Sequence, residues 1–112
     1  MLFHITERAA WESAQVEGTY CPASLNAEGF IHFSTREQVI PTANRFYRGQ
    51  TDLVLLQVEP SELFAPLRYE EVANHGTFPH LYGPLNAEAV IEVWPFSANA
   101  DGCFTFPVSH CQ

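Results

Sequence analysis

The sequence predicts an α+β domain on a mostly antiparallel or mixed sheet, with two helices near the N-terminus. Three observations carry that reading. Short apolar stretches rich in strand formers recur from the first residues to Phe96. Two segments in the first half place apolar residues at helical spacing behind a Ser or Thr. The length, 112 residues, is that of one ordinary domain, so residues 1–112 are read as a single unit with about 97–112 as a C-terminal tail.

"LFHI" (2–5) is the first strand, ending at Thr6 as the N-cap of a helix over "ERAAWESAQ". Ala10, Trp11 and Ala14 share one face of that helix. "EGTYCPASLNAEG" reads as connection. "FIHFS" (30–34) is the second strand. A helix follows over "STREQVIPTANRFYRG", opened by a capping box of Ser34 with Glu37 or equally Thr35 with Gln38. Val39, Ala43 and Phe46 are spaced for its buried face, Gly49 suits its end, and Pro41 should kink it or mark a different first turn.

"DLVLLQVEP" (52–60) has the unbroken apolar run of a strand covered on both faces. "LRYEEV" (67–72) follows, then an irregular "ANHGTFPHLYGPL" held by aromatics and prolines. "AVIEVWPF" (89–96) is the last strand, and a hairpin-like turn is expected at Asp101–Gly102.

Charge and cysteine content narrow the function. Thirteen acidic residues face five Arg and no Lys, a net charge of -8 that repels a phosphate backbone, so no nucleic-acid partner is expected. Without Lys, Schiff-base chemistry and a lysine-dependent phosphate loop are excluded. Cys21, Cys103 and Cys111 are odd in number and widely spaced, fitting neither a disulfide framework nor a zinc cluster. No apolar run is long enough to span a bilayer and no leader pattern opens the chain, so a cytoplasmic location without membrane contact is expected.

Three histidines sit among large apolar neighbours. Strand alternation puts Phe30, His32 and Ser34 on one face, with Ile31 and Phe33 toward the core. His32 then faces a cleft beside the start of the next helix, whose free N–H groups suit a phosphate or carboxylate. A half-buried His bonded to a backbone carbonyl is the plainer account. His4 repeats the order strand, His, Ser or Thr, helix. His80 lies in a loop tied down by Phe78, Pro79 and Tyr82, whereas His75 and His110 read as solvated. In "RYEEV" only one of Glu70 and Glu71 can share the histidine face, and an Arg68–Glu70 ion pair is its simplest use. The separations of His4, His32 and His80 enforce no metal geometry, so no metal is expected. No G-x-S-x-G context supports a serine hydrolase.

The ordered set "FHIT…W", "YCPASL…EGFIHFST-x-EQ", "DLVLLQVE", "LRYEEV" and "FPHLYGPL" resembles the uncharacterised bacterial domain-of-unknown-function family 952, from His4 to about Pro107. That family brings no established activity. The resemblance implies a distant link to the ADP-ribosyltransferase-like fold, in which a first-strand His or Arg meets the dinucleotide. A second strand walls the nicotinamide site, and a Glu or other polar residue from a later strand contacts the ribose. By position His4 takes the first role. "GFIHFS" takes the second, with His32 where a Tyr is usual, and Glu70, Glu71 or His80 takes the third. The expectation is a nucleotide-type cleft for NAD or an ADP-ribose-like ligand. His4, His32, Glu70 and His80 are its catalytic candidates, and Thr6, Ser34, Thr35 and Tyr82 its binding candidates. The chemistry implied is ADP-ribosyl transfer or NAD hydrolysis. The competing expectation is a non-catalytic ligand-binding or interaction module that keeps the fold.

Overall fold

The computed structural model describes residues 1–107. Along the chain run β1 (Leu2–Glu7), α1 (Arg8–Glu17), β2 (Thr19–Tyr20), α2 (Ala23–Glu28), β3 (Ile31–His32), α3 (Arg36–Phe46), β4 (Leu53–Val58), β5 (Leu67–Val72), β6 (Gly76–Leu81), β7 (Leu85–Asn86) and β8 (Val90–Phe96). They form three antiparallel sheets, ordered β1-β4-β8, β2-β7 and β3-β6-β5. The α+β class therefore stands. Among the described residues the α-helices number three rather than two.

The apolar run of β4 is explained by its neighbours. Val54, Leu56 and Val58 join Leu2, Trp11, Ala14, Tyr20, Ile31, Phe33 and Leu81 in one core. Leu53 and Leu55 point the other way, into a second core with Phe3, Ile5, Val39, Ala43, Phe96 and Phe104. Burying one such side chain contributes roughly 1.5–3 kcal/mol. The main sheet is thus a shared wall, with α1 and the small sheets on one side and α3 on the other.

Several local expectations are corrected. Thr6 lies inside β1, and Glu7 occupies the cap position of α1, so the strand runs straight into the helix. Of the two capping boxes weighed, Thr35 with Gln38 is the one formed, the Thr35 N–H donating to Gln38 Oε1 at 2.9 Å. α3 ends at Phe46, three residues before Gly49, and Phe46 is exposed. Pro41 is accommodated inside the helix. The segment read as connection holds β2 and α2; six residues without a buried side chain leave no periodicity to detect.

The stretch read as irregular forms β6, so His80 is a strand residue and not a loop residue. Pro79 hides that strand, because proline is rare at the centre of a sheet. Its carbonyl accepts from Phe33 N–H at 3.0 Å, so its nitrogen faces the Phe33 carbonyl, and the reciprocal bond that proline cannot donate falls at the position where β3 has just ended.

The chain beyond β8 returns to the body. Gly102 N–H bonds the Asn99 carbonyl, closing the expected turn, and Phe104 is buried against Phe96. His110 and Cys111 lie outside the described residues. The chain passes closely at Gly83, where an added Cβ would come within 2.6 Å of Ala65 Cβ. No helix among the described residues is long and apolar enough to cross a membrane.

Candidate functional site

The candidate residues fall in three places. The first is the outer face of β3-β6-β5. His32 stands directly opposite His80, and His80 opposite Arg68, so the three form a row across the sheet. Alternation adds Phe30, Glu70 and Tyr82 to the same face, while Ile31 and Leu81 fill the core side as β-strand geometry requires.

His80 is the centre of this face. Phe30 stacks on its imidazole at 4.1 Å and 22°, and the His32 ring stands edge-on at 5.3 Å and 82°. Those two rings leave His80 only 4% exposed although it points away from the core. Its Nδ1 lies 2.8 Å from Glu70 Oε1. A carboxylate only accepts, so Nδ1 carries the proton in that bond. Nε2, buried, has no hydrogen-bond partner.

Glu70 Oε1 also accepts from the Tyr82 hydroxyl at 2.5 Å. Tyr82 first, then His80, holds the Glu70 carboxyl below its ordinary value, and the same bond raises the Tyr82 phenol. Arg68 is not ion-paired to Glu70; its guanidinium lies over the Tyr82 ring, 5.1 Å from the centroid. His32 is exposed and donates from Nε2 to Glu28 Oε1 at 2.7 Å. Glu71 is exposed, so the carboxylate brought to the histidines is Glu70.

The second place is the inner side of β1. His4 Nδ1 lies 2.6 Å from the His32 carbonyl oxygen, and Nε2 lies 2.8 Å from Tyr20 Oη. Tyr20 Oη is also 2.8 Å from Thr6 Oγ1. Burial lowers His4 to about 4, the carbonyl bond only partly opposing it, so the ring is neutral at pH 7. A carbonyl only accepts, so the single ring proton is on Nδ1 and Nε2 must accept from Tyr20. Tyr20 has then used its only hydrogen, and Thr6 donates to it. The order is Thr6 to Tyr20 to His4 to the His32 carbonyl. Burial pushes the Tyr20 phenol up to about 12, the Thr6 bond working against it, so the hydroxyl keeps its proton.

The third place is the junction of β3 and α3. Ser34 is buried, with its N–H and carbonyl both paired to Phe3 at 2.8 Å. Thr35 caps α3. The structure thus brings His32, Glu70, His80 and Tyr82 together, ties His4 and, through Tyr20, Thr6 to them by way of the His32 carbonyl, and sets Ser34 and Thr35 apart.

Phe30 and Tyr20 went unassigned in the sequence. The alternation that grouped Phe30 with His32 was the signal for the first. Tyr20 meets partners 14 and 16 residues away, a separation that no local pattern carries. Among the described residues no group of three or more His, Cys, Asp or Glu side chains could hold a metal ion.

Comparison with known proteins agrees on one point. No curated protein matches the chain. The crystal structure of protein CC0527 from Caulobacter crescentus, a structural-genomics target, is 38% identical over 93% of this chain and 92% of that one, with a TM-score of 0.85. The crystal structure of a double mutant of CC0527 gives 37% identity, the same coverage and a TM-score of 0.84. The solution NMR structure of CC0527 gives 39% over 91% and 89% of the two chains, with a TM-score of 0.80. The family model for the protein of unknown function DUF952 matches residues 5–93, a span from β1 into β8 that includes every residue of the histidine face, and the chain belongs to that family.

Proposed function

We propose that the outer face of β3-β6-β5 binds a small nucleotide-like ligand of the NAD or ADP-ribose kind. The observation that carries this reading is the unpartnered, buried Nε2 of His80, set in a wall of flat side chains beside a guanidinium. A buried polar atom without a partner is uncommon and is accounted for by a ligand group that bonds to it. Phe30, His32 and Tyr82 offer faces for a base or nicotinamide ring, and Arg68 offers charge to a phosphate in an otherwise acidic protein.

The finer reading, ADP-ribosyl transfer or NAD hydrolysis, draws on the ADP-ribosyltransferase-like resemblance and on Glu70, whose carboxylate is available to steady positive charge on a ribose. In this proposal His4 does not touch the ligand, because both of its ring nitrogens are engaged within the chain. It holds the carbonyl of His32 and thereby the strand that presents His32 and Phe30. The competing reading, a binding module without chemistry, is favoured by Phe30, which a ligand must displace to reach His80.

Calorimetric titration with NAD and with ADP-ribose tests the proposal on wild type, His80→Leu and Arg68→Ala. Saturable heats in wild type, weakened about tenfold or more in both variants, are expected. Negligible heats at millimolar ligand in all three proteins reject it. Nicotinamide release from bound NAD, followed by NMR, separates the enzyme from the module.

A further inference from the structure

A second concavity, of about 520 Å³, lies on the other side of the main sheet, beside the start of α3. That volume is within the range of small-molecule sites, roughly 300–1,000 Å³. None of His4, His32, Glu70 or His80 lines it, so it is independent of the face proposed above.

Its floor comes from all three strands of the main sheet. Phe3 stands directly opposite Gln57, and Trp94 opposite Leu55, so Phe3, Gln57 and Trp94 project to one side. Phe106 closes one wall, its ring edge-on to Phe3 at 5.4 Å and 6.4 Å from Trp94. Arg36 lies on that wall with its guanidinium carbon 4.3 Å from the Phe106 centroid. A guanidinium stacked on a ring keeps its in-plane N–H groups free, and those are the groups that fork onto a carboxylate. Glu37 also lines the cavity and sets a limit on how much negative charge it accepts.

We infer that this cavity binds a small aromatic monocarboxylate. The ring lies among Phe3, Trp94 and Phe106, the carboxylate meets Arg36, and the Gln57 amide is within the floor for a polar substituent. A second negative charge on the ligand is disfavoured by Glu37.

Trp94 provides the readout. In proton–nitrogen NMR spectra of the full chain, the indole N–H of Trp94 reports on the cavity and that of the buried Trp11 serves as the internal control. The probes are benzoate, benzyl alcohol and benzamidine, titrated to millimolar concentration. Benzoate should shift the Trp94 signal saturably and leave Trp11 still. Benzyl alcohol should bind about tenfold more weakly, and Arg36→Gln, at an exposed position, should weaken benzoate by a similar factor. Glu37→Gln should leave benzoate binding intact or tighten it. The inference is overturned by a benzoate shift that does not saturate, by equal affinity for benzoate and benzyl alcohol, by unchanged affinity in Arg36→Gln, or by tighter binding of benzamidine than of benzoate.

Discussion

His4 and His80 are both strand histidines among aromatic rings, and they are opposites in what surrounds their nitrogens. His4 lies on the core side of the main sheet, and each ring nitrogen has a partner within the chain. His80 lies on the outer face of a smaller sheet, is more fully covered, and has a partner on one nitrogen only. The first arrangement serves the fold: it satisfies a hydroxyl and a strand carbonyl that burial would otherwise leave unpaired. The second leaves a polar atom unsatisfied, which folding alone does not reward. Depth of burial is therefore the weaker guide to a working histidine, and the state of its second nitrogen the stronger one.

Removing each ring should bring out that contrast. His4→Ala deletes the ring and strands both Tyr20 and the His32 carbonyl, so it should cost about 3–5 kcal/mol in urea unfolding. His80→Leu fills a similar volume and strands only Glu70, which is open to water. Its cost should stay within about 1 kcal/mol. Equal losses in the two variants would end the distinction.

The pH dependence of stability tests the His4 arrangement next. Unfolded His4 titrates near 6.5 and folded His4 near 4, so between those values the unfolded chain binds the additional proton. The stability that His4 contributes is complete above pH 6.5 and is lost as pH falls toward 4, by up to about 3 kcal/mol. His4→Gln should flatten the stability profile over that window, measured by urea midpoints across pH.

A smaller effect should come from Tyr82→Phe, which removes the strongest bond on Glu70. The Glu70 carboxyl should move up toward its ordinary value in an NMR titration of the variant. An unmoved Glu70 would mean that His80 alone holds it.

Much of this was legible in the sequence where one face meets one environment. The run at 53–58 announced a strand covered on both sides, and the alternation at 30–34 put Ile31 and Phe33 inward. Local capping chemistry narrowed the helix start to Ser34 or Thr35, and the structure takes Thr35. What escaped was set by distant partners. The His80–Glu70 bond depends on the pairing of β5 with β6, and β6 was obscured by Pro79, whose tolerance depends on where β3 stops. Thr6 read as a cap because a hydroxyl before a helix usually is one, while here Tyr20 claims it. The sequence singled out three histidines, and it was the sheet pairing that sorted them.

Gly83 touches none of these groups, yet it follows Tyr82, and its chain runs against Ala65 with no room for a Cβ. A side chain at 83 would push this turn off the segment that leads into β5 and carry the Tyr82 hydroxyl away from Glu70. Position 83 is therefore held to glycine by its neighbour at 65 as well as by its own backbone. A lineage that drifts to alanine at 83 while position 65 keeps its methyl group passes through an ancestor with a misaligned site.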